Sequence, residues 1–262
     1  VSAALAGALW LVGCGNMGGA MLRRWIESGA VDPERVFVLN RHDRELPAGV
    51  RQGRAFPDEP APAFVMLGMK PQQLGDIPII PAAPGATLIS ILAGVETATL
   101  AARYPEHRIV RAMPNLPVAL GKGVVALHGA QSDAIDALMA PLGLVEWIAE
   151  EAQFDAVTAL AGCGPGFVYR FIDALADAGA ALGLPADQAA RLAVATVEGA
   201  GLLAAQSPDS PAALADKVAS PGGSTREGLN VLDRDGALKT LLRETLAASE
   251  RRNAEMAAAA RG

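Results

Sequence analysis

Aromatic residues, histidines and cysteines are all scarce in this chain, and each shortage narrows what it can be. With aromatics at 4% of 262 residues, the interior has to be built from aliphatic side chains, chiefly Ala, Leu and Val. The three histidines (His42, His107, His128) lie far apart and share no ligand spacing with the two cysteines, Cys14 and Cys163, so no metal site is expected. Two cysteines, each flanked by glycine, also give no disulfide framework and fit a reducing compartment, so a cytoplasmic location is expected. The formal net charge is -6 and no basic cluster stands out, which argues against nucleic acid as a partner. No uninterrupted apolar run reaches the roughly 20 residues of a membrane span, so no membrane association is expected. The run from Ala3 to Val12, followed by Gly13-Cys14, has the look of a lipoprotein cleavage site. A signal peptide needs a basic start, however, and the first cation here is Arg23.

What is present is apolar content, at 51% of residues, enough for a substantial core in one large or two modest domains. From residue 8 to about 150, short apolar runs alternate with short helical patterns. The predicted strands are Ala8–Val12, Arg35–Asn40, Ala63–Met69, Thr87–Leu92, Arg108–Met113, Gly123–Leu127 and Leu144–Ile148. Helical patterns fall near Met17–Ser28, Pro71–Gly75, Glu96–Arg103 and Asp133–Met139, an alternation that predicts a parallel, doubly wound sheet. Beyond Asp155 strand signals vanish, and helices are predicted over Phe167–Leu182, Asp187–Ala205 and Ala237 to about Met256. The expected division is a dinucleotide-binding α/β domain over residues 1–152 and an all-α domain over 153–262. Two of the later helices are apolar on more than one face (Phe167, Val168, Phe171, Ile172, Leu175; then Leu192, Val194, Val197, Leu202, Leu203). Burial against a second subunit is the expectation, with an intramolecular core as the other reading.

Leu11-Val12-Gly13-Cys14-Gly15-Asn16-Met17-Gly18 places a G-x-G-x-x-G spacing directly behind the first predicted strand and ahead of the first helix. In that context Gly13 serves the tight turn, Gly15 the approach of a pyrophosphate and Gly18 close packing of helix on strand. The helix amides then face the phosphates with the positive end of the dipole. An NAD-specific site carries an acid about 20 residues beyond the glycines. Here the second strand ends in Asn40-Arg41-His42, an amide and a guanidinium that suit a 2′-phosphate. NADPH is therefore the expected cofactor, with NADH the other candidate and a plain solvated cation the alternative reading of Arg41.

A second motif lies near the other end: Ser220-Pro221-Gly222-Gly223-Ser224-Thr225, ahead of Arg226-Glu227-Gly228-Leu229. Adjacent glycines and hydroxyls before a helix form an anion nest suited to a small carboxylate, or simply a helix-capping loop. With this motif and those that follow, the chain resembles the pyrroline-5-carboxylate reductase family. The resemblance is carried by G-C-G-N-M-G-G-A-M (Gly13 to Met21), M-K-P-Q (Met69 to Gln72), R-A-M-P-N-L-P (Arg111 to Pro117), G-P-G-F (Gly164 to Phe167), D-A-L-A-D-A-G (Asp173 to Gly179) and S-P-G-G-S-T-R-E-G-L (Ser220 to Leu229).

The resemblance implies a Rossmann-type domain, a helical domain interlocked with a second subunit, and hydride transfer from NADPH to 1-pyrroline-5-carboxylate, giving L-proline. It implies that Gly13, Cys14, Gly15, Asn16, Met17 and Gly18 form the pyrophosphate loop and Asn40 and Arg41 the adenosine-phosphate end. Met69, Lys70, Pro71, Leu92 and Ala93 would edge the nicotinamide ribose. Ser220, Gly223, Ser224 and Thr225 would hold the substrate carboxylate, with Thr225 near the ring nitrogen as the catalytic candidate. Glu151 would stand close to the substrate amine; from the residues alone it reads equally as a solvated surface acid. The family usually shows S-G-S-G-P-A-Y where this chain has Ala161-Gly162-Cys163-Gly164-Pro165-Gly166-Phe167, so two hydroxyls and a phenol are missing. Ala219 and Lys217 depart as well, from a common Ser or Thr and from an Asn. Two other functions stay open at this point: reduction of another cyclic imino acid, and a non-catalytic NADP-binding sensor.

Overall fold

The computed structural model describes residues 5–261. Ala3 and Ala4 of the first apolar run, and the outermost residues of both expected domains, lie outside the described residues. Two compact units are present: one runs through Cys163 and takes in the residues from Ser249 onward, the other is Gly164–Ala248. These limits differ from a division at 152/153, which marks only where strand signals stop.

The first unit is built on an eight-stranded sheet. Its strands are β1 (Leu9–Val12), β2 (Val36–Leu39), β3 (Arg51–Gly53), β4 (Phe64–Leu67), β5 (Thr87–Ser90), β6 (Arg108–Pro114), β7 (Gly123–Gly129) and β8 (Gly143–Trp147), in the order β3-β2-β1-β4-β5-β6-β7-β8. Its helices are α1 (Asn16–Glu27), α2 (Thr97–Arg103), α3 (Asp133–Met139) and α4 (Phe154–Val157). The pairing is parallel throughout except at β6–β7. Residues 115–122 join those two strands through a single tight turn, Leu116–Leu120, too short for the dozen or more residues of a parallel crossover.

Both faces of the sheet are covered, which is why its central strands read as continuous apolar runs. Along β4 the side chains alternate between two cores. Met66 joins Leu9, Leu11, Met21, Trp25 and Val38 on one face, while Val65 and Leu67 join Val12, Leu88, Leu100 and Tyr104 on the other. α1 buries Met21, Leu22 and Trp25 on the first of these faces.

The second unit holds α5 (Gly164–Ala181), α6 (Ala186–Gln206), α7 (Pro211–Val218), α8 (Ser224–Asp233) and the start of α9 (Ala237–Arg261). Gly183, at φ 102°, ends α5, and Pro185 caps the start of α6. Among the described residues of this unit only three alanines are buried: Ala189, Ala193 and Ala219. Val168, Phe171, Leu192, Val194, Leu203 and Leu241 are all exposed, Leu203 to 62%.

Candidate functional site

The glycine turn is shaped by close approach on one side and open space on the other. Gly13 sits at φ +83°, and a Cβ there would come within 2.8 Å of the Met69 backbone nitrogen, so neither its backbone angle nor its surroundings admit a side chain. Gly68, which no sequence motif singled out, is limited by its surroundings alone: its Cβ would lie 2.7 Å from the Gly13 carbonyl oxygen. Gly15 differs, with nothing within 4 Å of its Cβ position. It is the N-cap of α1, no side chain caps it, and Gly19 N–H makes the first turn's bond to its carbonyl at 2.8 Å. The amides of Asn16, Met17 and Gly18 therefore have no helical acceptor and carry the positive end of the dipole beside that open space.

A cleft of about 890 Å³ surrounds this turn at the C-terminal ends of β1, β2, β4, β5 and β6. The strand order reverses beside β1, the position at which open α/β sheets take their ligands. Gly13, Cys14, Gly15, Asn16, Met17, Asn40, Arg41, Met69, Lys70, Pro71 and Ala93 all line it. Gly18 does not; it lies on the buried face of α1, with its Cβ position 3.5 Å from the Gly13 carbonyl oxygen. Leu92 does not either, because its side chain belongs to the core with Val12 and Leu100. The cleft also takes in Arg44 and Arg54, cations in loops of no recognisable pattern, and Met113 and Pro114 at the end of β6.

Asn40 and Arg41 have protein partners of their own. Asn40 is buried, and its Oδ1 accepts from Cys14 N–H at 3.0 Å, which fixes the glycine turn to the end of β2. Its Nδ2 has no partner among the described residues. Arg41 Nη2 pairs with Asp76 Oδ2 at 2.6 Å, both side chains more than half exposed. The Cys14 thiol is raised above its ordinary range by burial, against the pull of Arg23 and Arg44.

Glu151 is not a solvated surface acid. One carboxylate oxygen accepts from Thr97 N–H at 2.9 Å and from Arg111 Nη1 at 3.0 Å; the other accepts from the Thr97 hydroxyl at 2.6 Å. Burial pushes its carboxyl upward, but the bonds from Thr97 and the Arg111 guanidinium outweigh that and hold it below the usual carboxylate range. The Arg111 side chain is 6% exposed and lies 4.5 Å from the centroid of the Phe154 ring. Beside this group is a cavity of about 300 Å³ lined by Gly94, Glu96, Arg111, Glu151 and Asp155 with Ala254 and Ala257 of α9.

In the second unit, Ser220–Gly223 forms the tight loop ahead of α8, and Ser224 and Thr225 are the first two residues of that helix. Gly222 lies at φ +74°, Gly223 N–H donates to the Ser220 carbonyl at 2.9 Å, and a Cβ on Gly223 would sit 2.6 Å from Ser220 Oγ. Gly223 caps α8 with no side-chain bond, so the first amides of α8 lack helical acceptors. Ser220, Ser224 and Thr225 are exposed. Arg226, not singled out from sequence, braces the loop by donating to Asp216 Oδ1 at 2.9 Å and to the Ala219 carbonyl at 3.4 Å.

A mostly parallel sheet with a glycine turn at its switch point, and a helical second unit, define a Rossmann-type protein of the two-domain kind. Residues 151–256 match the family model described as pyrroline-5-carboxylate reductase dimerisation. The chain is 36% identical over 263 residues to a pyrroline-5-carboxylate reductase of Synechocystis sp., covering 95% of this chain and 97% of that one. A solved pyrroline-5-carboxylate reductase from Coxiella burnetii superimposes with a TM-score of 0.84 at 30% identity, covering 95% and 98% of the two chains. A Plasmodium falciparum pyrroline carboxylate reductase, solved with NADP bound, shares the fold at a TM-score of 0.77 and 22% identity, covering 97% and 99%. The chain belongs to the pyrroline-5-carboxylate reductase family.

Proposed function

We propose that this protein reduces 1-pyrroline-5-carboxylate to L-proline with NADPH, as a homo-oligomer of at least two chains. The observation that carries this reading is the cleft itself: an uncapped α1 start, open space at Gly15, and a wall holding Arg41, Arg44, Arg54 and Lys70. Four cations and free helix amides fit a ligand with several phosphates, and the unpartnered Asn40 Nδ2 leaves a donor for it. When bound, NADPH supplies the hydride.

The chain's own residues then have a modest task. Hydride addition to a protonated cyclic imine leaves a neutral amine, so no acid has to protonate an alkoxide. The Ser220–Thr225 loop binds the substrate carboxylate through backbone amides and hydroxyls, and Thr225 meets the ring nitrogen. Ala93, Met113 and Pro114 wall the nicotinamide end, and holding the ring in near-attack geometry supplies most of the acceleration. The exposed apolar surface of α5 and α6 is covered by a second copy of the chain. Among the described residues no helix is long and apolar enough to cross a membrane, and Cys14 and Cys163 are both unpaired; we place the protein in the cytoplasm.

Initial rates of NADPH oxidation test the reading. Oxidation should require the five-membered imino acid and release proline, with NADH slower. Oxidation driven better by a six-membered imino acid would reassign the substrate. Binding of NADPH with no turnover of either ring would leave a dinucleotide-binding protein only.

A further inference from the structure

We infer that Glu151 is a positioning residue: its carboxylate ties the loop after β5 to β6 and thereby sets the wall of the cofactor cleft on that side. Thr97, which gives Glu151 both an amide and a hydroxyl, is the first residue of α2 and ends the loop in which Ile91 and Ala93 face the cleft. Arg111, the third donor, precedes Met113 and Pro114 on β6, which face the same cleft. Each oxygen of Glu151 is therefore committed to the protein, and both committed partners lead directly to cofactor-lining residues.

The Arg111–Glu151 tie is paired with a second. Asn115, at the end of the R-A-M-P-N run, donates from Nδ2 to the Ala161 carbonyl at 2.9 Å and accepts from Val124 N–H at 2.8 Å. Arg111 and Asn115 thus hold residues 151 and 161 against the same strand. Because the Arg111 guanidinium is buried, loss of its counter-ion leaves an uncompensated charge that must move toward water, and β6 moves with it.

The inference rests on the cofactor reading above, so the test includes measurements that do not need turnover. Glu151→Ala, Glu151→Gln and Thr97→Val are compared for kcat, for KM of the imino acid, for affinity toward adenosine 2′,5′-bisphosphate, and for amide hydrogen exchange over residues 92–98 without ligand. Misplacement of the nicotinamide wall should lower kcat about 10- to 100-fold in Glu151→Ala, less in Glu151→Gln and Thr97→Val, with imino-acid KM within about twofold. Exchange over 92–98 should quicken in all three, while adenosine bisphosphate binds as to wild type. A raised imino-acid KM at unchanged kcat in Glu151→Gln would overturn the inference in favour of substrate contact. Faster exchange throughout the first unit, with equal loss of adenosine bisphosphate binding, would reduce Glu151 to general stability. If the wild type turns over no imino acid, the proposed function fails, and the exchange and nucleotide measurements still decide the role of Glu151.

Discussion

Thr225 and Arg41 carry the residue-scale predictions. Thr225→Val keeps shape and branching and removes the hydroxyl proposed to meet the ring nitrogen. An unpaired partner costs about 1–3 kcal/mol, so kcat/KM should fall roughly 5- to 150-fold while NADPH affinity holds. Unchanged efficiency would make Thr225 a residue of the α8 start and nothing more. Arg41→Asp should weaken NADPH by about 1.5–3 kcal/mol and NADH far less, because one charge-assisted contact is lost. Equal loss with both cofactors, read by fluorescence titration, would show that Arg41 does not read the phosphate. Arg41 was legible because it follows the second strand directly. Its partner Asp76 was not, since nothing in the sequence places position 76 opposite position 41. Separation along the chain likewise hid the partners of Glu151, which lie 54 and 40 residues away.

Two glycines of the first turn make opposite predictions at the scale of the element. Gly13→Ala places a Cβ against the Met69 backbone at a left-handed φ and should lower thermal stability as well as cofactor binding. Gly15→Ala meets nothing in the protein, so it should fold with wild-type stability and lose NADPH affinity alone. Calorimetry with and without NADPH separates the two; equal melting temperatures for both variants would contradict the turn's geometry. The corner between α2 and β6 gives a pH prediction. His107 is buried against Tyr104, and neither ring nitrogen has a hydrogen-bond partner among the described residues. Burial lowers its pKa, against the opposing pull of Glu106. A base with a depressed folded pKa contributes stability that is present above its unfolded pKa, about 6.5, and lost as pH falls through the folded value. His107→Leu should therefore lose less melting temperature than wild type between pH 7.5 and 5.5; parallel losses would show that His107 takes up its proton alike in the folded and unfolded states.

Element type was legible where apolar period and length agreed, as at β1, β4, α1 and α3. The three-residue β3, Arg51-Gln52-Gly53, is polar and too short to show a period. The antiparallel run of β7 follows from a connection too short for a crossover, which the composition of β7 does not reveal. The π-helical turn Thr158–Gly162 also left no trace in the pattern, although it runs into the altered Ala161–Phe167 stretch.

At the scale of the whole molecule, the second unit cannot be covered by its own few buried alanines. Val168, Phe171, Leu192, Val194, Leu203 and Leu241 point to an obligate dimer whose protomer does not persist when isolated. Sedimentation at micromolar concentration should give no folded monomer, and a stable one would contradict the assembly. The central claim is that hydride passes from NADPH to the imine carbon of 1-pyrroline-5-carboxylate. Turnover with NADPH deuterated at the transferring C4 position, followed by mass spectrometry of the product, tests it most directly. The account predicts L-proline carrying one deuterium at C5, in amounts equal to the cofactor oxidised. Unlabelled proline, or cofactor oxidised with no proline formed, would contradict it.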